Sequence, residues 1–151
     1  MNNNYLASEV KTSQGNYRVI VGKDILGEMK SELEYAGLKG KKCFLIADKS
    51  MFPKNTKLLH ESLESQGFIT NSLSIEFSES LKNYDTVYKI YNWLADMKAE
   101  RKDFILSFGG GVTGDIVGFV ASTYLRGMPF IQVPTTLAAM TDASIGGKVA
   151  Y

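Results

Sequence analysis

The sequence predicts an α/β fold in which a mostly parallel sheet is covered by helices on both faces. Apolar segments of strand length alternate along the chain with segments whose apolar residues recur at helical spacing, which is typical of βαβ units. One strand segment, Phe104 to Phe108, runs directly into three glycines ahead of a helical segment. This arrangement is typical of a Rossmann-like unit, whose ligands bind at the carboxyl ends of the strands.

The first part of the chain predicts a hairpin and a helix. Leu6 to Val10 and Tyr17 to Val21 are extended segments that can pair through a turn around Gln14-Gly15-Asn16. Ile25 to Tyr35 follows as a helix that stops near Gly37.

The remaining elements continue the alternation of strands and helices. They are the strand Lys42 to Ala47, the helix Asn55 to Ser65 ended by Gly67, the strand Leu73 to Phe77, the helix Tyr84 to Met97, the strand Phe104 to Phe108, a helix from about Gly114 to Leu125, and the strand Phe130 to Val133. In the helix from Tyr84, apolar residues at 84, 87, 88, 91 and 94 have the spacing of one helix face.

Length, charge and cysteine content set the class of protein. A chain of 151 residues with 44% hydrophobic content has the size of one globular domain with its own core. Its net charge of +1 gives no sign of a polyanion-binding surface, so we expect no nucleic acid partner. No apolar run approaches the roughly 18 residues of a membrane span. The single Cys43 is typical of a reducing compartment, so we expect a soluble, cytoplasmic protein with no membrane partner.

The run Gly109-Gly110-Gly111-Val112-Thr113-Gly114-Asp115 is the strongest functional signal. Its glycines at 109, 111 and 114 fit G-x-G-x-x-G, a pattern in which the backbone passes close to a pyrophosphate that faces helix N-terminal N–H groups. Asp115 and Ile116 stand where a P-loop needs Lys and Ser or Thr, so a mononucleotide kinase is not indicated. No acidic residue lies between Asp115 and Asp142 to hold a ribose in the standard way, so another group must do so.

Polar residues follow the other strand segments at the same predicted edge of the sheet. They are Asp48, Glu79, Lys82, Thr135 and Thr136. Because parallel strands end together, we expect these residues to gather around the glycines. Each also has a structural interpretation: Asp48 and either threonine as helix N-caps, and Glu79 with Lys82 as a solvated pair.

The last residues combine polarity with glycine. Thr141-Asp142-Ala143-Ser144 is polar, and Ile145-Gly146-Gly147-Lys148 places a glycine pair before a lysine, which can then swing toward an anionic group. The alternative interpretation of this segment is a flexible tail.

Four linked motifs resemble the 3-dehydroquinate synthase family. They are Gly109 to Phe119, Tyr124-Leu125-Arg126-Gly127, Gln132 to Leu137 and Asp142 to Lys148, in the family's order and spacing. Upstream, Glu79-Ser80-Leu81-Lys82 is similar to the family's G-E-x-x-K element, with Ser78 in place of the glycine. The resemblance covers the whole chain, most strongly from about Asp103. It implies the N-terminal half of a dehydroquinate-synthase-like fold, with residues 1–151 as a dinucleotide-binding domain.

The resemblance also implies an activity. Enzymes of this family are lyases of the shikimate pathway that convert 3-deoxy-D-arabino-heptulosonate 7-phosphate, a phosphorylated sugar acid, to 3-dehydroquinate and phosphate with NAD. They also use a divalent metal, zinc or cobalt, whose Glu and His ligands lie in a second, helical domain that this chain lacks. Catalytic zinc takes three protein ligands, whereas this chain has His60 as its single histidine, in a predicted surface helix. We therefore expect no metal site here and no turnover by residues 1–151 alone.

Roles follow for each residue that matches the family's motifs. The implied cofactor contacts are Asp48, Glu79, Lys82, Gly110, Gly111, Val112, Thr113, Gly114, Asp115, Thr135, Thr136 and Lys148. Glu79 and Lys82 match the adenosine end and Asp115 the nicotinamide-side ribose. The implied catalytic residues are Asp142, Lys148 and Arg126. Arg126 matches an arginine that reaches the substrate phosphate of a neighbouring subunit, which implies a homodimer.

Three alternatives stay open. Another sugar phosphate cyclase, making an inosose or a valiolone, would share the scaffold. An iron-dependent alcohol or glycerol dehydrogenase also has a glycine triplet and Pro-Thr-Thr, although Tyr124 to Gly127 and Asp142 to Lys148 argue against it. A non-catalytic dinucleotide-binding module is the alternative from outside the enzymes. A Glu and two His in metal-binding arrangement beyond Tyr151 would exclude that module.

Overall fold

A computed structural model describes residues 5–13, 15–23, 25–50 and 53–147. Its centre is a parallel sheet of β3 (Lys42–Asp48), β4 (Ile69–Ile75), β5 (Phe104–Gly109) and β6 (Phe130–Pro134), in the order β4-β3-β5-β6. The α-helices of the described ranges are α1 (Met29–Tyr35), α2 (Pro53–Ser65), α3 (Tyr84–Asp96) and α4 (Gly111–Thr123). The predicted α/β fold is confirmed. Among the described residues, none of the helices has the length and hydrophobicity that a membrane-spanning segment requires.

Two cores lie on opposite faces of the sheet, because successive side chains of a strand point to opposite faces. Phe44 and Ile46 of β3 belong to the core formed with α3 and α4. Cys43 and Leu45 belong to the core formed with α1 and α2, where burial raises the pKa of the Cys43 thiol. Helices therefore cover both faces, and β3 and β5 are the buried central strands.

The predicted hairpin is present as β1 (Tyr5–Thr12) and β2 (Gly15–Gly22), which pair antiparallel outside the main sheet. Gln14, in the predicted turn, lies outside the described residues. The predicted helix from Ile25 to Tyr35 is a 3-10 turn, Ile25–Glu28, followed by α1.

The strand predicted over Leu73 to Phe77 is instead β4, Ile69–Ile75. The sequence pattern that suggested the later span is the alternation of apolar Leu73, Ile75 and Phe77. An edge strand tolerates polar residues, however, and the ladder to β3 already begins where Lys42 pairs with Ile69. Phe77 is buried in the core beyond the end of the strand.

Two helices also differ from the prediction. In α3 the buried residues are Thr86, Val87, Ile90 and Leu94. The predicted apolar face consisted of residues 84, 87, 88, 91 and 94, so only positions 87 and 94 belong to both sets. Tyr84 and Tyr88 are 62% and 55% exposed and stack on one another, since a phenol ring suits a wet surface as well as a core. The helix predicted from about Gly114 begins at Gly111, because Gly110 is extended and serves as its N-cap.

Candidate functional site

The sheet has a topological switch point between β3 and β5. From β3 the chain continues to β4 on one side, whereas from β5 it continues to β6 on the other. In sheets of this kind, ligands bind in the crevice that the diverging connections open at the carboxyl ends of the strands. The glycine run follows β5 at this edge, which makes it the candidate site.

The glycine run leaves three backbone donors at the start of α4. Gly109 ends β5, Gly110 is the N-cap, and Gly111 is the first residue of the helix. The N–H of Gly114 donates to the carbonyl of Gly110 at 3.1 Å, so the N–H groups of residues 111–113 precede the first helical hydrogen bond. These groups lie at the positive end of the helix dipole, where an anion such as a phosphate is stabilised.

The glycines of the run differ in how much space a side chain would have. A Cβ at Gly109 would overlap the side chain of Thr113, and one at Gly114 would overlap the amide of Gln132, so these two positions allow close packing. A Cβ at Gly110 would instead meet Thr136 Cγ2 at 3.4 Å, at the border of a tight contact. A Cβ at Gly111 would meet Ala143 Cβ at 3.5 Å, an ordinary contact. Gly110 and Gly111 therefore border the gap between the loop and the segment after β6.

That segment is tied to the loop by its backbone. The N–H of Thr135 donates to the carbonyl of Gly109 at 2.9 Å. Thr136 Oγ1 accepts from the N–H of Ala139 at 3.3 Å, so it caps the helical turn that continues as a π-helix, Ala139–Ala143. Asp142 lies in that turn, next to the alanine that faces Gly111.

Thr113 is buried rather than open to a ligand. Its side chain has no solvent exposure, and its Oγ1 has no hydrogen-bond partner among the described residues. An unpartnered buried hydroxyl is unfavourable. Its backbone N–H precedes the first helical hydrogen bond, but it is buried with the rest of the residue.

An ion pair joins the segment after β4 to α4. Lys82 Nζ donates to Asp115 Oδ2 at 2.8 Å, and both side chains are largely buried, at 17% and 20% exposed. The hydrogen bond with Asp115 raises the pKa of Lys82, against the lowering effect of desolvation. Glu79 Oε1 lies 3.9 Å from the same ammonium group but is 77% exposed. Sequence reasoning selected all three residues but missed this pairing, since no local signal links positions 33 residues apart.

Asp48 is placed differently. It is buried at the end of β3, where its carboxylate accepts from the N–H of Ser50 at 2.9 Å and from its hydroxyl at 2.7 Å, which orders the turn. Asp48 also lines a cleft of about 270 Å³ beside His60 and Ser72. Among the described residues, no hydrogen bond or ion pair joins Asp48 to the glycine run.

His60 and the acidic residues form no metal centre in the described ranges. The His60 ring lies in α2, 30% exposed, with Nδ1 against Ser72 Oγ and Nε2 at 3.3 Å from Glu64. Among the described residues, no group of three His, Cys, Asp or Glu side chains could hold a metal ion.

Arg126 lies at the opposite end of α4. Thirteen residues at 1.5 Å per residue place it about 20 Å from the glycine run. Leu125 and Arg126 both have positive φ, +51° and +63°, ahead of Gly127 at +106°. Left-handed backbone costs a non-glycine residue about 1 kcal/mol or more, so this exposed corner is strained. Lys148 lies outside the described residues.

Comparison with known sequences identifies relatives along nearly the whole chain. The family model described as 3-dehydroquinate synthase N-terminal matches residues 72–151. The 3-dehydroquinate synthase of Clostridium botulinum is 40% identical over 141 residues, covering 93% of this chain and 40% of the relative. That of Prochlorococcus marinus is 37% identical over 149 residues, covering 98% and 41%. The chain thus spans about two fifths of the length of these relatives.

Solved structures resemble the fold. A 2-deoxy-scyllo-inosose synthase complexed with carbaglucose-6-phosphate, NAD+ and Co2+ superimposes with a TM-score of 0.84 at 22% identity, over 91% of this chain and 38% of that one. A 2-epi-5-epi-valiolone synthase from Streptomyces hygroscopicus with NAD+ and Zn2+ bound gives 0.76 at 28% identity, over 95% and 38%. The first likeness shows the fold alone.

Proposed function

The chain belongs to the 3-dehydroquinate synthase family, and from that membership we propose that it is the NAD-binding part of a 3-dehydroquinate synthase. The proposed reaction converts 3-deoxy-D-arabino-heptulosonate 7-phosphate to 3-dehydroquinate and phosphate, a carbon–oxygen lyase step of the shikimate pathway toward chorismate and the aromatic amino acids. The observation that carries the proposal is the glycine loop at the switch point of the sheet, with the N–H groups of residues 111–113 ahead of the first helical hydrogen bond of α4.

The described residues offer groups for the pyrophosphate and for the ribose hydroxyl groups of a dinucleotide. The N–H groups of residues 111–113 would hold the pyrophosphate, and Gly110 and Gly111, which have no side chains, would let it approach the backbone closely. The Lys82–Asp115 pair, with exposed Glu79 beside it, offers charged donors and acceptors to ribose hydroxyl groups. In this proposal Asp115 binds the nicotinamide-side ribose.

NAD, when bound, supplies transient oxidation of a ring hydroxyl, which acidifies the neighbouring C–H for loss of phosphate. We assign Asp142 and Lys148 to the reacting end, where the ammonium group of Lys148 stabilises negative charge that develops on the substrate. Because the chain has a single histidine, we place the ligands of a zinc or cobalt ion outside it and derive no step from that ion. Residues 1–151 alone are then expected to bind NAD weakly and not to turn over.

The first prediction concerns the substrate. A protein of the full length of the relatives should release phosphate from 3-deoxy-D-arabino-heptulosonate 7-phosphate, with a dependence on NAD that a phosphate-release assay measures. The same assay with glucose 6-phosphate tests the second candidate, an inosose-forming cyclase, which the fold likeness to 2-deoxy-scyllo-inosose synthase brings forward. Release from glucose 6-phosphate alone would make the protein that other cyclase, and NAD binding without release from any sugar phosphate would favour a non-catalytic module.

Arg126 is proposed to act across a homodimer. Its side chain is exposed on a strained corner about 20 Å from the glycine loop of its own chain, so it is badly placed to serve that loop. A phosphate bound to a neighbouring subunit would lie within reach of such a corner. We further propose a cytoplasmic protein without nucleic acid or membrane partners.

The second prediction tests this assignment by complementation in the full-length protein. An Arg126→Ala chain and a Lys148→Ala chain should each be nearly inactive as homodimers. Mixed dimers would hold one site in which both residues are intact, so mixing should recover up to about half of the activity per dimer. Heterodimers that form but stay inactive would show that Arg126 serves its own subunit or only caps α4.

A further inference from the structure

The N-terminal hairpin makes a long-range hydrogen bond with the end of the described chain. The backbone N–H of Gly146 donates to the Tyr17 hydroxyl oxygen at 3.0 Å, across 129 positions of sequence. Tyr17 is half-buried in β2, whereas Gly146 is exposed. The contact therefore joins the first and last parts of the described chain.

The hairpin lies outside the main sheet but is held in place by contacts with α1. Arg18, the next residue of β2, makes a 2.9 Å ion pair with Glu32 of α1, and its guanidinium carbon lies 4.4 Å from the centre of the Tyr35 ring. Because side chains alternate along a strand, Tyr17 points away from the face that Arg18 holds against α1. One face of β2 thus fixes the hairpin, and the other reaches Gly146.

Few other hydrogen bonds fix the conformation of the segment around Gly146. Ser144 and Ile145 still donate to carbonyls of the preceding π-helix, at 3.0 and 2.9 Å. Beyond them, Gly146 and Gly147 have φ of +87° and +66°, with nothing within 4 Å of the position a Cβ would take. In the described part of the chain, the bond to Tyr17 is the one hydrogen bond from this glycine pair to another residue.

We propose that Tyr17 is a positioning residue that fixes the Gly146-Gly147 turn and, through it, Lys148. Lys148 is the residue that directly follows this turn in the sequence. The restraint on the turn stands on the geometry alone, whereas its consequence for turnover rests on the proposed function.

Tyr17→Phe is the test, because it removes the hydroxyl and keeps the ring. Amide hydrogen exchange of the 151-residue chain, followed by NMR, should show the Gly146 N–H exchanging roughly tenfold faster, as expected for one lost hydrogen bond. Trypsin should also cleave after Lys148 several-fold faster, which mass spectrometry detects as loss of the last three residues. The matched control is Tyr35→Phe, which removes another hydroxyl beside the hairpin, one that donates to Glu9 and does not touch Gly146.

Unchanged exchange at Gly146, or equal acceleration in both variants, would overturn the restraint. Faster exchange with unchanged cleavage after Lys148 would overturn its extension to Lys148. In the full-length protein, Tyr17→Phe should lower kcat several-fold while the Kd for NAD changes less than twofold. Unaltered kcat would refute the link to turnover. A parent protein without turnover would count against the proposed function, and exchange and cleavage would still decide the role of Tyr17.

Discussion

Valine in place of Gly111 is expected to abolish NAD binding without unfolding the chain. A Cβ at this position would meet Ala143 Cβ at 3.5 Å, an ordinary contact, so the packing tolerates a substituent. The branched side chain would nevertheless enter the gap between the glycine loop and the segment after β6, where the pyrophosphate must approach the open N–H groups. Calorimetric titration should therefore give measurable heat with the parent chain and none with the variant, even at millimolar NAD.

The matched control is Gly27→Val, the same substitution in an exposed 3-10 turn where a Cβ would meet nothing within 4 Å. This variant should bind NAD as the parent does. Circular dichroism should show both variants folded. Equal affinity of Gly111→Val and the parent would place the pyrophosphate elsewhere and remove the loop from the proposed site.

Alanine in place of Lys148 is expected to lower the turnover of the full-length protein by about a hundredfold or more. A charge directed at the reacting centre stabilises the transition state more than the bound ground state, and losing such a group typically costs two to three orders of magnitude. The adenosine-side contacts would remain, so the Kd for NAD should change far less. Steady-state kinetics and calorimetry on the same sample separate the two effects.

Lys102→Ala is the control for charge alone. Lys102 is 71% exposed and is paired with Glu100. It lies two residues before the start of β5, at the opposite edge of the sheet from the glycine run. Its replacement should leave kcat and NAD affinity as they are. A Lys148→Ala protein as active as the Lys102→Ala protein would identify the Gly146-Gly147-Lys148 segment as a structural tail.

Local pattern was enough to predict the sheet and most of its helices. The buried strands β3 and β5 are short apolar runs, and the glycine run marks the end of β5 without reference to any other part of the chain. The apolar pattern gave the wrong strand boundaries where burial depends on the position of a strand in the sheet. β4 is an edge strand, so its polar Thr70, Ser72 and Ser74 take part in the ladder, and the span predicted from Leu73 to Phe77 was wrong.

The site was predictable as a set of residues but not as a set of contacts. Parallel strands bring their carboxyl ends to one edge whatever the loops do, so Glu79, Lys82 and the glycines could be selected from sequence. The ion pair between Lys82 and Asp115 depends on how α4 packs beside the segment after β4. The spacing of residues along the sequence does not determine this packing. The burial of Thr113 against Gly109 likewise follows from packing between a strand end and a helix.

The pairing of β3 with β5 has a consequence for how the chain folds. Cys43 pairs with Phe104, so forming the central ladder must close a loop of about 60 residues that contains α2, β4 and α3. Closing this loop lowers the conformational entropy of the chain before the stabilising contacts form. It therefore slows folding relative to chains with mainly local pairing. Each core takes side chains from both central strands, so neither core is complete until this ladder forms. Both faces of the sheet are therefore expected to become protected from solvent in the same kinetic phase.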